Sequence, residues 1–242
     1  MCSPLRPRPE RGELAFEPEC YGRSTQGRPL EVWLPGEPPE VLVFAGIHGE
    51  EPETTVALSS ALRSLGPGRL RAAVVLAANP DGLARGTRGN ARGVELNRNF
   101  PTSDWTPAMA LHRFTRGEPQ DVALSPGPAP ASEPESEALM ELARRLAPRL
   151  VVALHSPLAC VIDPRRSEPA RWLSQRTGLP MRMDAGSPTP GTFDGWAREE
   201  TEAMAVTLEL PVCSKDEALV RYLDSLVDLL ATTVAAMRPI DL

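Results

Sequence analysis

Two histidines and one glutamate occupy positions from which they could bind a metal ion together. His48 and Glu51 lie three residues apart, directly after the apolar run 41–45, which predicts a buried strand. His155 ends a second apolar run, 150–154. Imidazole nitrogen and carboxylate oxygen both suit zinc, and a catalytic zinc site uses three protein ligands and leaves one position for water. We therefore predict that His48, Glu51 and His155 bind one zinc ion per chain.

The His48–Glu51 pair alone is weak evidence, because such a pair more often marks the exposed start of a helix. A second histidine at another strand end reverses that balance in favour of a site. The pattern is not the His-Glu-x-x-His helix of many zinc proteases, since Gly49 stands where the glutamate would be. A general base must therefore come from elsewhere in the chain.

Glu209 is the candidate for that base. It interrupts the otherwise apolar strand predicted over 205–210, where an ionised carboxylate is costly unless it has a partner or lines a cavity. A carboxylate near the metal can take a proton from attacking water and pass it to a leaving amine. The alternative is that Glu209 lies on the exposed face of an edge strand, and the residue alone does not separate the two interpretations.

Arg88 and Arg98 are candidates for contacts with an anionic group. A planar guanidinium can hold a carboxylate through two parallel hydrogen bonds, or stabilise the oxyanion that develops when water attacks a carbonyl. However, Lys215 is the only lysine among 26 basic residues. Because arginines are so frequent, any one of them is weak evidence by itself.

Composition limits the possible partners and location. The chain has 242 residues and a formal charge of −6, so the phosphate backbone of nucleic acid is an unsuitable partner. There is no apolar stretch long enough for a membrane span and no apolar segment of a signal peptide near the start. The four cysteines form no Cys-x-x-Cys pair, which favours reduced thiols and a cytoplasmic protein. Nothing in the composition predicts an oligomeric state.

Apolar patterning predicts strands that alternate with helices, and hence an α/β fold with a centrally parallel sheet and helices on both faces. We expect residues 1–20 to form an N-terminal extension and residues 21–242 a single catalytic domain. The Pro-rich stretch 118–134 is expected to be a long surface loop. The other predicted elements are a hairpin over 21–34, strands at 41–45, 72–78, 150–155 and 205–210, helices at 52–65, 133–146 and 216–237, and a turn at 79–82.

Taken together, these segments resemble the zinc metallocarboxypeptidase family, and within it the bacterial murein peptide amidases. The motifs occur in the family's order over residues 21–210, which makes the set far more specific than any one motif. They are His48-Gly49-Glu50-Glu51, Asn79-Pro80-Asp81-Gly82, Arg88-Gly89-Asn90, the run 93–100 (GVELNRNF), His155-Ser156 and Thr207-Leu208-Glu209-Leu210. The runs 21–29, 132–136 and 189–193 resemble the murein amidase branch.

The resemblance implies a fold and roles for individual residues. It implies a mixed sheet of about eight strands, zinc ligands at His48, Glu51 and His155, and Glu209 as the general base. Arg88 would polarise the scissile carbonyl, and Asn97 and Arg98 would hold the terminal carboxylate of a small peptide substrate. For the murein amidase branch, the bond cleaved is the γ-D-glutamyl–diaminopimelate amide of cell-wall peptides.

The chain departs from the family pattern in two places. Glu95 stands where an aspartate usually precedes Leu-Asn-Arg, and this longer acid can still serve as a structural acceptor. Digestive carboxypeptidases close a tyrosine over the substrate, but neither Tyr21 nor Tyr222 lies in the corresponding loop. The run 189–196 occupies that region instead. Diaminopimelate carries an extra ammonium and an extra carboxylate, and the candidates for contacting them are Asp184, Ser187, Thr189 and Asp194.

Two other functions remain compatible with parts of this pattern. One is a zinc-dependent N-acyl amino acid deacylase of the aspartoacylase type, although such proteins usually carry a C-terminal capping domain and little follows the terminal helix here. The other is a module that binds cell-wall peptides without cleaving them. The joint presence of ligands, base and arginine favours the hydrolase over both.

Overall fold

A computed structural model describes residues 5–114, 118 and 120–239, except for the side chains of Phe114 and Lys215. Its main feature is a mixed sheet of eight strands in the order β1-β2-β4-β3-β7-β10-β8-β9. These strands are β1 (Pro18–Arg23), β2 (Pro29–Trp33), β3 (Val41–Phe44), β4 (Ala72–Val75), β7 (Leu150–His155), β8 (Leu158–Ile162), β9 (Met181–Arg182) and β10 (Met204–Pro211). The predicted mixed sheet is confirmed.

The centre of the sheet is parallel. Strand β3 pairs in parallel with both β4 and β7, and β7 pairs in parallel with β10. The predicted hairpin β1–β2 is antiparallel at one edge, and β8 runs antiparallel to β10 near the other. Because β3, β7 and β10 run the same way, their carboxyl ends meet at one edge of the sheet, where open α/β folds bind their ligands.

Helices cover both faces of this sheet, as the alternation predicted. Helices α1 (Pro52–Arg63), α4 (Glu168–Thr177) and α6 (Lys215–Ala231) pack with one apolar cluster, whereas α3 (Pro134–Leu146) and α5 (Phe193–Glu200) pack with the other. Strand residues alternate between the two clusters: Val41 and Val43 face the first, and Leu42 and Phe44 the second. This alternation follows from the two-residue period of a strand.

Three local predictions need correction. The expected surface loop over 118–134 contains the strand β6 (Gln120–Leu124), which pairs with β5 (Ala110–Phe114) in a separate two-stranded hairpin. The turn at 79–82 opens a short helix, α2 (Pro80–Arg85), whose N-cap is Asn79. The terminal helix ends at Ala231 rather than near residue 237, because Thr232 takes an extended conformation and a short 3-10 helix follows.

The described part of the expected N-terminal extension lies against the domain. The amide of Arg6 donates to the carbonyl of Ser64 over 2.8 Å, and its guanidinium donates to the carbonyl of Arg63 over 3.2 Å. Leu14 and Phe16 pack on the apolar cluster beside α1. The first strand begins at Pro18, so the sheet starts slightly before the boundary expected at residue 20.

Among the described residues, no helix combines the length and the apolar character needed to cross a bilayer.

Candidate metal centre

The three predicted metal ligands converge at the carboxyl edge of the sheet. His48 and Glu51 follow β3, and His155 is the last residue of the neighbouring β7. Glu51 Oε1 lies 2.7 Å from Nδ1 of His48, and Oε2 lies 3.3 Å from Nδ1 of His155. The two Nδ1 atoms are 3.2 Å apart, and all three side chains are buried. The predicted ligand set is therefore confirmed as a group that could hold one metal ion.

The geometry of this group fits zinc. Two nitrogen ligands, each about 2.0–2.1 Å from a tetrahedral zinc ion, would lie about 3.4 Å apart, and the observed separation of the two Nδ1 atoms is 3.2 Å. Both imidazoles turn the same ring nitrogen towards Glu51. Two nitrogens and one carboxylate form a ligand set that leaves a zinc position open.

The turn that carries His48 is fixed by close contact with the start of α2. Gly46 has φ +64°, and a Cβ on Gly49 would lie 2.0 Å from the carbonyl carbon of Gly82. Asn79 holds the two segments together: its Nδ2 donates to the carbonyl of Ile47 over 3.2 Å, and its Oδ1 accepts from the amide of Gly82 over 2.9 Å. The Asn79-Pro80-Asp81-Gly82 motif therefore shapes the backbone beneath the metal ligands.

Glu95 lies against the outer nitrogen of His48 as an ion pair. Its Oε1 lies 3.0 Å from Nε2 of His48, on the side of the ring opposite Glu51. Its Oε2 accepts a short hydrogen bond from Nε of Arg88. A carboxylate on the second nitrogen of a ligating histidine fixes the orientation of the ring and makes it a stronger ligand. Glu95 is thus a structural acceptor, as expected for the acid at this position.

Arg88 lies among three carboxylates. Besides Glu95, its Nη1 lies 3.1 Å from Glu50 and 3.4 Å from Glu51. Glu50 in turn lies 3.0 Å from Nε2 of His112, which comes from the β5–β6 hairpin. Burial lowers the pKa of Arg88, but these carboxylates outweigh that effect and raise it above its usual range. The guanidinium is therefore charged and fixed in place beside the metal ligands.

The charges of the metal-free site are strongly coupled. Burial and the nearby Arg88 lower the pKa of His48, but Glu51 and Glu95 outweigh both and raise it to about 9. Burial raises the pKa of Glu51, yet the two histidines bring it well below its usual range. Glu95 is shifted in the same direction by Arg88 and His48, again against its burial. The centre is thus rich in ionised carboxylates, which favours the binding of a cation.

Glu209 lies beside the metal ligands. It is paired in register with His155 across the parallel strands β10 and β7, and it is only 8% exposed. Its Oε2 accepts from the amide of Leu158 over 3.2 Å. Burial raises its pKa, and this effect together with the negative charge of Glu51 outweighs the lowering by His155. The interpretation of Glu209 as an exposed residue of an edge strand is wrong, because β10 is an interior strand.

Asn97 and Arg98 lie on a 3-10 turn that is tied to α5. Oδ1 of Asn97 accepts from the amide of Phe193 over 3.0 Å, which leaves the Nδ2 group of the side chain as a donor. Nη1 of Arg98 donates to the carbonyl of Asn97 over 2.6 Å. A Cβ on Gly191 would lie 2.4 Å from the carbonyl oxygen of Arg98, so the loop before α5 packs closely against this turn.

Three of the four candidates for side-chain recognition differ in their surroundings, and the fourth, Ser187, is exposed. Asp194, on α5, accepts a short hydrogen bond from the hydroxyl of Thr207, and its Oδ1 is buried with no hydrogen-bond partner among the described residues. Asp184 lies on an exposed turn, where it accepts from the amide of Gly186 over 2.8 Å. Thr189 is partly exposed. Of the three, Asp194 is the one in direct contact with β10, the strand that carries Glu209.

Sequence reasoning did not assign roles to Glu50 and His112. Glu50 lies between two predicted site residues in the motif, and its side chain received no interpretation of its own. His112 comes from a hairpin that the sequence did not predict, so its approach to Glu50 had no local signal. The third histidine of a chain with only three was the one hint available.

Comparisons with known proteins agree with this geometry. The family model described as zinc carboxypeptidase matches residues 16–171. The chain is 44% identical over 229 residues to murein peptide amidase A of Escherichia coli K12, which covers 93% of this chain and 94% of the relative. It is 39% identical over 230 residues to murein peptide amidase A of Vibrio campbellii, covering 93% and 92% of the two chains.

Solved structures of zinc carboxypeptidase-like proteins are also similar to this chain. The crystal structure of murein-tripeptide amidase from Escherichia coli O157 superposes with a TM-score of 0.91 at 42% identity, covering 99% of this chain and 100% of the other. Bovine thrombin-activatable fibrinolysis inhibitor, in complex with a tick carboxypeptidase inhibitor, superposes with a TM-score of 0.69 at 18% identity, covering 90% and 88%. The second likeness concerns the fold alone.

Proposed function

This chain belongs to the zinc carboxypeptidase family, and on that premise we propose that it cleaves the γ-D-glutamyl–diaminopimelate amide of murein peptides. It is a zinc-dependent hydrolase, in which His48, Glu51 and His155 would hold the ion. The single observation that carries the proposed reaction is the convergence of these ligands with Glu209 in register beside His155. The choice of substrate is supported by the relatives, which are described as murein peptide and murein-tripeptide amidases.

Zinc in this centre would act as a Lewis acid that polarises a carbonyl and lowers the pKa of a water molecule. Glu209 is proposed to take the proton from that water. The support is that it lies next to the proposed metal ligands and has a single described hydrogen bond, from Leu158. Burial raises its pKa, which makes its carboxylate a better base. The same carboxyl group can then donate the proton to the nitrogen that leaves, as a general acid.

Arg88 is proposed to stabilise the negative charge that develops on the carbonyl oxygen. Its guanidinium is fixed by Glu95 on Nε and by Glu50 on Nη1. A preorganised cation costs no reorganisation as the charge develops, and one such donor is typically worth 10²–10³ in rate. The site therefore fixes the arginine before the substrate arrives.

Asn97 and Arg98 are proposed to hold the free carboxylate of the residue that is released. The Nδ2 group of Asn97 is a donor whose orientation is set by the contact of Oδ1 with Phe193. Arg98 is largely buried, and this burial lowers its pKa; the guanidinium nevertheless stays charged because an arginine hardly ever loses its proton. Together they would fix how far the C-terminal residue of a substrate can enter the site.

Asp194 is proposed to accept the ammonium group on the side chain of the released residue. Its Oδ1 is buried, has no described partner, and belongs to a side chain anchored by Thr207. An unpaired carboxylate oxygen at a buried position is costly unless a ligand pairs with it. Asp184 and Thr189 stay candidates for further contacts from the same loop region.

We also propose that the enzyme acts in the cytoplasm. The support is that Cys20 and Cys160 are free thiols, as expected for a reducing compartment.

The test of the proposed function is incubation with L-Ala-γ-D-Glu-meso-diaminopimelate. Free diaminopimelate and the L-Ala-D-Glu dipeptide should appear by mass spectrometry, and a chelator should stop their release until zinc is restored. A matched peptide joined through the α-carboxylate of glutamate serves as the control. Equal cleavage of both peptides would contradict the proposed linkage, and cleavage that a chelator does not affect would contradict the metal mechanism.

A further inference from the structure

The face of the sheet that carries Glu209 continues across β10, β8 and β9 to Arg182. Thr207 on β10 pairs with Ile162 on β8, and Ile162 pairs with Arg182 on β9. In the same register, Glu209 pairs with Cys160. Residues paired directly across strands project to the same face of a sheet. Arg182 therefore projects from the face that carries Thr207 and Glu209.

This part of the face lies beside α5, not beneath it. The apolar cluster under α3 and α5 includes Ala153 of β7 and Ala205 of β10, but among the described residues none of its buried members comes from β8 or β9. Ile162 is partly exposed and Arg182 is exposed. Thr207, Ile162 and Arg182 thus form a row across the three strands. The row begins beneath Asp194 at Thr207 and reaches solvent at Arg182.

The side chain of Arg182 starts from the same face of the sheet as Cys160 and Ile162. Its charge acts on the thiol of Cys160: burial raises the pKa of that thiol, and Arg182 lowers it in part. Cys160 is fully buried and lies beside Glu209 in the register. Arg182 makes no hydrogen bond or ion pair with any described side chain, so its guanidinium can still take an anionic partner.

The two ends of the row carry opposite charges. Asp194 is bonded to the hydroxyl of Thr207 at one end and has a buried oxygen without a described partner. Arg182 lies two strands further, which is about 10 Å between Cα atoms at the usual strand spacing. A ligand with an ammonium and a carboxylate on one carbon could contact both ends, the ammonium at Asp194 and the carboxylate at Arg182. The separation can be bridged because an arginine side chain extends over several ångströms.

We propose that Arg182 is a specificity-determining residue that binds the side-chain carboxylate of the released residue, opposite the ammonium bound by Asp194. This assignment rests on the proposed function and narrows its substrate to residues whose side chain ends in an amino acid group. A side chain that ends in an ammonium alone, such as that of lysine, satisfies Asp194 but leaves Arg182 unpaired. Such a substrate also places its positive charge near the guanidinium, which is unfavourable.

The test compares two peptides that differ only in that carboxylate, L-Ala-γ-D-Glu-meso-diaminopimelate and L-Ala-γ-D-Glu-L-Lys. With the zinc-loaded enzyme, Arg182→Gln should lower kcat/KM for the diaminopimelate peptide about 10- to 100-fold, mainly through KM, as expected for the loss of one charge-assisted contact. The same variant should cleave the lysine peptide as well as or better than the wild type. Arg171→Gln is the matched control, because Arg171 is exposed on α4, across the sheet.

The outcomes separate this inference from the proposed function. If the wild type prefers diaminopimelate and Arg182→Gln lowers both activities equally or neither, the role of Arg182 is wrong while the proposed function stands. If the wild type cleaves the two peptides equally well, the side-chain carboxylate is not recognised and the inference fails. If the wild type cleaves neither peptide, the proposed function fails and the inference falls with it.

Discussion

Nε2 of His48 lies 3.0 Å from Oε1 of Glu95, so one carboxylate orients a metal ligand from behind. The other oxygen of Glu95 accepts from Arg88. A single buried side chain thus sets the position of a ligand and of the proposed oxyanion-stabilising arginine. Zinc binding and catalysis should therefore weaken together when this carboxylate is changed.

Glu95→Gln should lower the affinity for zinc about 10- to 100-fold, the usual effect of removing the partner of a ligating histidine. It should also lower kcat at saturating zinc, because the neutral amide keeps one acceptor oxygen but loses the negative charge that holds Arg88. Zinc affinity can be measured by competition with a chromophoric chelator, and kcat at several zinc concentrations. Glu141→Gln, which changes an exposed glutamate of α3, should alter neither. Unchanged zinc affinity in Glu95→Gln would show that Glu95 does not support His48.

Zinc binding should release a proton near neutral pH. In the metal-free protein the pKa of His48 is about 9, against an ordinary value of 6.5, so the folded chain holds an extra proton between these values. That proton's contribution to stability is complete below about pH 6.5 and is lost as the pH rises through about 9. A zinc-bound imidazole must be unprotonated. The apparent zinc affinity should therefore rise with pH up to about 9.

Calorimetry in two buffers of different ionisation enthalpy tests this release. At pH 7.5 the observed heats of zinc binding in the two buffers should differ by the number of protons released multiplied by the difference between the two ionisation enthalpies. Identical heats in both buffers would mean that His48 is already neutral in the metal-free protein, contrary to the environment made by Glu51 and Glu95.

The sequence predicted the centre of the sheet and its ligands because those signals are local. Strand β3 and strand β7 up to His155 are continuous apolar runs, and β10 is apolar except for Thr207 and Glu209. His48, His155 and Glu209 lie at or near the carboxyl ends of these strands. A run buried on both faces has few alternatives, and parallel neighbours bring their ends together. The sequence therefore predicts that the three candidate ligands meet at one edge of the sheet, as they do in the structure.

The elements that the sequence did not predict carry weaker or non-local signals. Strand β9 has two residues, too few for any period. Strand β6 lies in a stretch rich in proline, and its partner β5 was hidden by mixed polar and apolar residues. Helix α5 begins with the N-cap Thr192, whose side chain accepts from the amide of Gly195; this cap could have been found, because Thr at the start of Thr-Phe-Asp-Gly is a common N-cap.

Glu209→Gln should abolish turnover while zinc stays bound. The amide has nearly the same shape and can still accept from the amide of Leu158, but it cannot take a proton. Loss of a general base typically costs about 10²–10⁴ in rate, and zinc content by elemental analysis should match the wild type. Glu202→Gln, at an exposed position before β10, is the control. An equal loss of zinc in Glu209→Gln would make Glu209 a ligand, and unchanged turnover would remove it from the mechanism.

Arg98→Ala should weaken binding of substrates with a free terminal carboxylate. The loss of a buried charge-assisted contact should raise KM at least about 10-fold with a smaller change in kcat. The matched substrate is the same peptide ending in a carboxamide, which the wild type should cleave poorly and which the variant should cleave no worse. If Arg98→Ala affects both substrates by the same factor, Arg98 supports the fold of the loop and does not bind the carboxylate.

Asp194→Asn should reduce cleavage of a peptide ending in diaminopimelate far more than that of one ending in alanine. The asparagine side chain keeps an oxygen for the hydroxyl of Thr207, so the anchor of the wild-type side chain can persist. It loses the negative charge that would pair with the substrate ammonium, a contact typically worth about 1.5–3 kcal/mol, and kcat/KM for diaminopimelate should fall about 10- to 100-fold. Thr207→Val, which removes the anchor but keeps the charge, should cause a smaller loss on the same peptide. An Asp194→Asn enzyme with unchanged preference for diaminopimelate would show that the ammonium is bound elsewhere.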